Sequence, residues 1–280
     1  MKKTILNSII TFYCFLLCFI NASEYFVATY GSDNNVGSFE YPFRSIQRAS
    51  EAMSAGDICY IRQGTYQENI SITNQNGSNG QEIVFTNYNN EKVVLDGTTI
   101  LTTNWQIYSD NIWKTSLDYD IWQLFLDREQ MVMARWPNAN FEDGSIWDKQ
   151  NHWGHGTIDQ DEMAYENGTL IDEPHGEIDL ANSGLNIVDA IAILNVGSYK
   201  TWTRRVLTHS GNTFTYDPVP EWKTKHHDYY LEGKLEFLDA EGEWFFDPET
   251  RDLFFFPPNG IDPNELLIRG KTQSYFFEII

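Results

Sequence analysis

The chain has 280 residues, enough for one large domain or two modest ones. Hydrophobic residues make up 41% and charged residues 21%, a globular balance that excludes a disordered or fibrous protein. Forty Asp and Glu against 19 Lys and Arg give a formal charge of −21, which excludes a basic-patch nucleic-acid binder.

Lys2 and Lys3 precede an apolar run, Ile5 to Ile20, that ends at Asn21-Ala22-Ser23, small residues suited to signal peptidase. Residues 1–23 therefore read as a signal peptide. The run is about as short as a spanning helix can be, and Asn7, Ser8 and Thr11 dilute it. The expectation is a protein that is secreted, periplasmic or at the cell surface, with no stable membrane insertion after cleavage. Leu17 is too bulky to make Cys18 a lipoprotein site. Loss of the segment leaves 17 basic against 40 acidic residues, a charge of −23, and Cys59 as the only cysteine, so no intrachain disulfide is expected.

Residues 24–100 hold short β-rich runs bounded by Asn or Gly: Glu24–Thr29, Asp57–Arg62, Ile70–Ile72, Glu82–Thr86 and Val93–Gly97. One helix is expected, Ile46 to Met53, with Ser45 as its N-cap and Ile46, Ala49, Ala52 and Met53 as its apolar stripe. Short strands and tight turns without alternating helices point to an all-β sandwich, barrel or solenoid.

Three motifs choose among these: Tyr25-Phe26-Val27-Ala28-x-x-Gly31-Ser32-Asp33, then Gly37-Ser38-x-x-x-Pro42-Phe43-x-x-Ile46-Gln47-x-Ala49, then Ala55-Gly56-Asp57-x-x-Tyr60-Ile61-x-x-Gly64-Thr65-Tyr66. Together they resemble the opening of secreted right-handed parallel β-helix proteins, the pectate-lyase-like carbohydrate-active proteins. The resemblance implies a capping helix from Pro42 onward and a first coil from Gly56 onward. An amphipathic helix laid over a solenoid end would cover its apolar core and open edge.

Residues 101–270 differ in composition. All nine tryptophans lie between Trp105 and Trp244. Ile121–Asn138 reads as two short strands around a polar turn, Ala190–Val196 as a buried strand, and Glu243–Pro257 as a hairpin turning at Asp247-Pro248-Glu249-Thr250. The segment reads as an all-β, sandwich-like module. The stretches Leu124–Asn138 and Gly242–Pro258 resemble a module that interrupts the early coils in some members of the same group. Residues 271–280 then read as a return to the β-helix that stops in mid-pattern, which suggests the amino-terminal portion of a longer protein.

Candidate site residues lie in the module. Arg135-Trp136 offers an indole face for the apolar side of a sugar and a guanidinium fork for hydroxyls or a carboxylate. It reads equally as a core Trp with an Arg bridging to an acid. His152-Trp153-Gly154-His155 places two histidines at i and i+3 in a loop-like stretch, 138–189, rich in acids such as Asp159, Asp161, Glu162, Asp172 and Glu173. A metal reading would combine His152 and His155 with one of these acids. The competing reading is a surface loop whose histidines bond backbone groups, and the stretch stands as a candidate substrate contact. His226-His227-Asp228 offers an acid–base pair or a polar turn before a strand. No metal site or cofactor is expected: no HExxH helix frames the histidines, and calcium has no EF-hand pattern to support it.

The function these readings imply is the amino-terminal portion of a secreted polysaccharide-degrading enzyme, a glycoside hydrolase ahead of a polysaccharide lyase, contributing scaffold and a groove wall. Catalytic residues are expected outside residues 1–280, and the partner is a polysaccharide or oligosaccharide. The alternative is a non-catalytic glycan-binding or surface-adhesion protein.

Overall fold

The structure, a computed structural model, describes residues 22–156, 167–197, 199–222 and 227–280. The apolar segment up to Asn21, the acids Asp159, Asp161 and Glu162, and His226 lie outside the described residues. The chain divides into two compact units, one of residues up to Gly97 together with Ser274–Ile280, the other Thr98–Gln273. Both are built mainly of β-strands, and among the described residues no sheet closes on itself.

The first unit contains β1 (Glu24–Val27), α1 (Ile46–Ala52), β2 (Ile58–Ile61), β3 (Gly64–Tyr66), β4 (Ile70–Ile72), β5 (Val84–Asn87) and β6 (Val93–Leu95). Three parallel ladders join them. β1, β2 and β5 align Tyr25 with Cys59 and Phe85, β3 aligns with β6, and β4 aligns with the strand Phe277–Ile279. The chain thus passes over the three ladders twice in the same order. Alternation turns Cys59, Ile61, Tyr66, Ile70 and Ile72 into one buried row. That is the ladder arrangement of a coil, with Thr98–Gln273 inserted in sequence between the second and third strands of the second pass.

Helix α1 forms where the apolar stripe predicts it and packs Ile46 and Ala49 into this core. Its N-terminal amides are satisfied from three directions. The Ser45 hydroxyl accepts from the Arg48 amide at 3.1 Å, and the Glu68 carboxylate accepts from the amides of Ile46 at 2.9 Å and Gln47 at 3.0 Å. Asp33 accepts from the Arg44 and Ser45 amides just before it. Gly37, at φ +80°, is required there, because a Cβ would lie 2.3 Å from the buried Phe43 ring.

The second unit is a set of mainly antiparallel sheets, with Val132–Met133 and Glu243–Asp247 the one parallel pair among its described strands. One follows the order β13 (Arg135–Trp136), β19 (Asp228–Glu232), β16 (Ile191–Gly197), β17 (Lys200–Ser210), β18 (Thr213–Tyr216) and β15 (Thr169–Ile171), with β14 (Gly154–His155) also on β19. A second runs β12 (Val132–Met133), β20 (Glu243–Asp247), β21 (Asp252–Phe255), β9 (Ile112–Ser116) and β8 (Gln106–Ser109). A third joins β11 (Glu129–Gln130), β10 (Leu124–Leu126), β22 (Ile268–Lys271) and β7 (Thr98–Ile100). The hairpin expected over 243–257 is β20–β21, with the Asp247 carboxylate closing its turn on the Glu249 amide and the Thr250 hydroxyl.

Two expectations need correction. Ile121–Asn138 holds four very short strands, not two, because Val132 and Met133 pair with β20 while Arg135 and Trp136 pair with β19. The stretch 138–189 is not simply a loop. Asp148 caps a one-turn helix, α2 (Lys149–His152), and β14 follows at once.

Candidate functional site

Strand β13 gives its two residues to opposite faces. In the antiparallel register Arg135 stands opposite Glu232, and Trp136 stands opposite Leu231. On β19 the alternation sends Tyr229 and Leu231 into the core and Tyr230 and Glu232 to the other face. Arg135 therefore joins Tyr230 and Glu232, while Trp136 packs toward Tyr229, their rings 6.2 Å apart.

The face carrying Arg135 opens into a cleft of about 420 Å³ lined by Arg135, Tyr230, Glu232, Trp122, Trp147 and Trp153, with others. Trp147 is 77% exposed and Trp122 is 49% exposed, so both offer indole faces to a ligand, while Trp153 is buried edge-on against Tyr230 at 4.8 Å. Arg135 is only 2% exposed. Its Nε donates to the Pro137 carbonyl at 2.8 Å and its Nη2 to the His152 carbonyl at 3.0 Å, and its guanidinium lies 3.9 Å from the Tyr230 ring centroid. These partners hold the cleft wall in shape.

Burial dominates the electrostatics of this wall. It lowers the Arg135 pKa against the opposing pull of Tyr230, Glu232 and Glu243, and raises Glu232 against the pull of Arg135. Burial also pushes the Tyr230 hydroxyl up to about 12. Behind the wall Glu243 is buried, and burial with the nearby Asp239 charge pushes its carboxyl up to about 8. Glu232 thus sits in an aromatic cleft with a bias toward its neutral form, in which a carboxyl can donate a hydrogen bond or a proton.

The opposite face opens into a polar cleft of about 500 Å³ that brings together Trp136, His152, His175, Glu177, Asn138 and Asp239. His152 is held through Nδ1 by the Asn138 carbonyl at 3.1 Å. His155 is not in this lining but packs against it. Its Nε2 meets the Lys149 carbonyl at 3.0 Å and its ring stacks on His175, centroids 3.7 Å apart and 5° from parallel. His175 thus stands with both histidines of the His-Trp-Gly-His stretch, sharing the cleft lining with His152 and stacking on His155. Among the described residues no group of three or more His, Cys, Asp or Glu is placed to hold a metal ion.

His227 is buried. Its carbonyl accepts from the Gly156 amide at 2.7 Å, and its ring lies 5.8 Å from Trp222. Gly156 is needed for this approach, since a Cβ there would stand 2.8 Å from the His227 Cβ. Of the residues singled out from sequence, Arg135 and Trp153 share one cleft, Trp136 and His152 share the other, and His155 and His227 lie in neither lining. Sequence reasoning passed over Tyr230, Glu232, His175 and Asp239. The period-2 pattern of Tyr229-Tyr230-Leu231-Glu232 carries the signal for the first two, whereas His175 and Asp239 arrive by tertiary packing alone.

Comparisons with known proteins address the fold. Residues 25–123 match the family described as Pel9A-like, right handed beta helix region. The chain is 40% identical over 81 residues to the uncharacterized protein YwoF of Bacillus subtilis, and 37% identical over 78 residues to pectate lyase PEL9 of Emericella nidulans. Those stretches cover 29% and 27% of this chain, and only 17% and 19% of the relatives. A solved structure titled glycoside hydrolase superposes with a TM-score of 0.59 at 19% identity, covering 92% of this chain and 48% of that one. The chain is therefore pectate-lyase-like over a partial β-helix region and spans about half the length of a glycoside hydrolase with a similar fold. Among the described residues no helix is long and apolar enough to cross a membrane.

Proposed function

We propose that the chain is the amino-terminal part of a secreted polysaccharide-degrading enzyme, a glycoside hydrolase in preference to a lyase, in which the 98–273 unit supplies a glycan-binding wall. The observation that carries this reading is the cleft walled by Arg135, Tyr230 and Glu232 and fronted by the exposed rings of Trp122 and Trp147. Indole faces pack on the apolar faces of pyranose rings, while a buried, hydrogen-bonded Arg keeps the polar wall rigid. The similarity to a pectate lyase over 78 residues and the fold shared with a glycoside hydrolase support polysaccharide as the substrate class. Export rests on residues 1–23, whose pattern of Lys2, Lys3, an apolar run and small residues is that of a cleaved signal.

A second reading, a non-catalytic glycan-binding protein, is favoured by the engagement of Arg135 with protein carbonyls, which leaves the cleft more suited to holding a ligand than to transforming it. The two separate when the complete gene product is incubated with plant and algal polysaccharides. New reducing ends support the hydrolase, and ultraviolet absorbance from unsaturated uronates supports the lyase. Retention on the glycan with neither signal overturns the enzyme reading.

A further inference from the structure

The aromatic cleft does not end at Trp122. Trp122, Met133 and Trp244 also line a larger depression of about 890 Å³ in the same unit, which continues past Phe246 and Phe254 to Tyr108. Tyr108 and Trp122 are exposed, and Tyr108 meets Phe254 edge-on at 4.9 Å. Exposed rings stand in both depressions, Trp147 and Trp122 in the smaller and Trp122 and Tyr108 in the larger, so Trp122 belongs to each.

The charges along these depressions discriminate between glycans. The larger one is lined by six carboxylates and three cations, and the smaller one by Glu232 and Arg135. Each lining cation is already matched. Lys114 pairs with Asp252 at 2.6 Å, Arg205 with Asp189 at 3.7 Å, and Lys234 with Glu236 at 3.8 Å. Arg135 is buried on carbonyls and the Tyr230 ring. The lining Asp120 is in turn paired with Arg251. A chain of uronates entering here would therefore meet Asp247 and Glu249 as surplus carboxylates and, among the described residues that line it, no cation without an acid or carbonyl beside it. Like charges so placed repel, and desolvating a uronate without a partner adds to the cost. A neutral pyranose chain meets no such penalty, and its ring faces suit the row of aromatics.

We propose that the two depressions act as one groove through Trp122 and bind an extended neutral glycan chain in preference to a polyuronate. The inference rests on the reading of the unit as a glycan-binding wall and adds the class of glycan. It is tested by titrating the complete chain with neutral hexasaccharides (xylan-, glucan- and mannan-derived) and with hexagalacturonate, the last both with and without millimolar Ca²⁺. The expected result is binding of at least one neutral hexasaccharide, about 10-fold or more tighter than hexagalacturonate under either condition. Trp122→Ala should weaken the hexasaccharide about 3- to 10-fold and leave the disaccharide nearly unchanged, because it breaks the groove at its middle. Trp122 is half exposed, and an unchanged circular dichroism spectrum would show that the variant folds. Tighter hexagalacturonate binding, with or without Ca²⁺, overturns the neutral class while leaving a glycan-binding wall. Binding of neither overturns both. Unaltered hexasaccharide affinity in a folded Trp122→Ala variant overturns the continuous groove.

Discussion

The Arg135 guanidinium lies 3.9 Å from the centroid of the Tyr230 ring, on the face of the sheet opposite the one that receives its neighbour Trp136. A cation held over an aromatic ring, with two carbonyls on its edge, is a fixed element of a wall and not a mobile ligand-seeking side chain. Arg135, Tyr230 and Glu232 therefore form the fixed wall of the cleft, with Glu243 buried behind them, and the exposed indoles of Trp122 and Trp147 meet whatever enters.

That division of labour predicts opposite phenotypes for two substitutions. Arg135→Met removes the charge beside two biased carboxyls and leaves the Pro137 and His152 carbonyls without their donors. It should lower stability by about 3 kcal/mol in denaturant unfolding. Trp147→Ala removes an exposed ring and should change stability by less than about 0.5 kcal/mol while weakening glycan retention. Equal stability of the two variants would contradict the assignment.

Between about pH 5 and about pH 8 stability should fall as pH rises. The Glu243 carboxyl is raised from 4.5 to about 8 in the folded chain, so between these values the folded state keeps a proton that the unfolded state has released. Its contribution is complete below the unfolded value and is lost as pH rises through about 8. Glu232 and Asp172, also raised by burial, act with the same sign. Plots of Tm against pH for Glu243→Gln and the parent should differ in slope, the variant losing several degrees less between about pH 5 and about pH 8. Parallel plots would show that Glu243 does not carry the effect.

Cys59 should be inert in the native chain. It is fully buried in the first unit, and burial together with the Glu68 charge pushes its thiol up to about 12, so almost no thiolate forms near neutrality. A thiol reagent should label it only at the rate of unfolding, and fast labelling without denaturant would exclude this placement. Cys59→Ser should cost about 1–3 kcal/mol, because a hydroxyl replaces a thiol in an apolar row.

The Tyr229 hydroxyl donates to Asp172 at 2.9 Å, and the other Asp172 oxygen accepts from the Leu180 amide at 3.0 Å. Both residues are buried. Tyr229→Phe keeps the ring and leaves one carboxylate oxygen short of a partner, so a loss of about 1–3 kcal/mol is expected by chemical denaturation. Gly154→Ala should be at least as damaging, since its Cβ would sit 2.5 Å from the Tyr229 ring, which this hydrogen bond holds in place. If Gly154→Ala is tolerated, the ring has room that the packing denies it.

Some of this was legible in the residues alone. Ser45 and the stripe Ile46, Ala49 and Met53 specify helix α1, because a cap and a 3.6-residue period are local properties. Asp247-Pro248-Glu249-Thr250 specifies the β20–β21 hairpin for the same reason. The alignment of Tyr25 with Cys59 and Phe85 is different: a two-residue period says which side chains share a face, and nothing about which distant strand lies beside them. The pair Arg135-Trp136 was noticed as one candidate contact, yet the pleat sends its members to separate clefts. His152 and His155, three apart, bond different carbonyls, those of Asn138 and Lys149, because a one-turn helix ends between them and a strand begins.

The sequence by itself determined a mostly β chain, a capped helix near its start, an acidic balance and a tryptophan-rich second segment, since composition and short-range periodicity act within a few residues. Only the tertiary structure decided that Glu232 and Tyr230 stand with Arg135, that His175 stacks on His155, and that Trp122 lines two depressions at once. Those relationships come from strand register and from side chains tens of residues apart being buried together. Burial is a property of the assembled sheets, and no local stretch of sequence carries it.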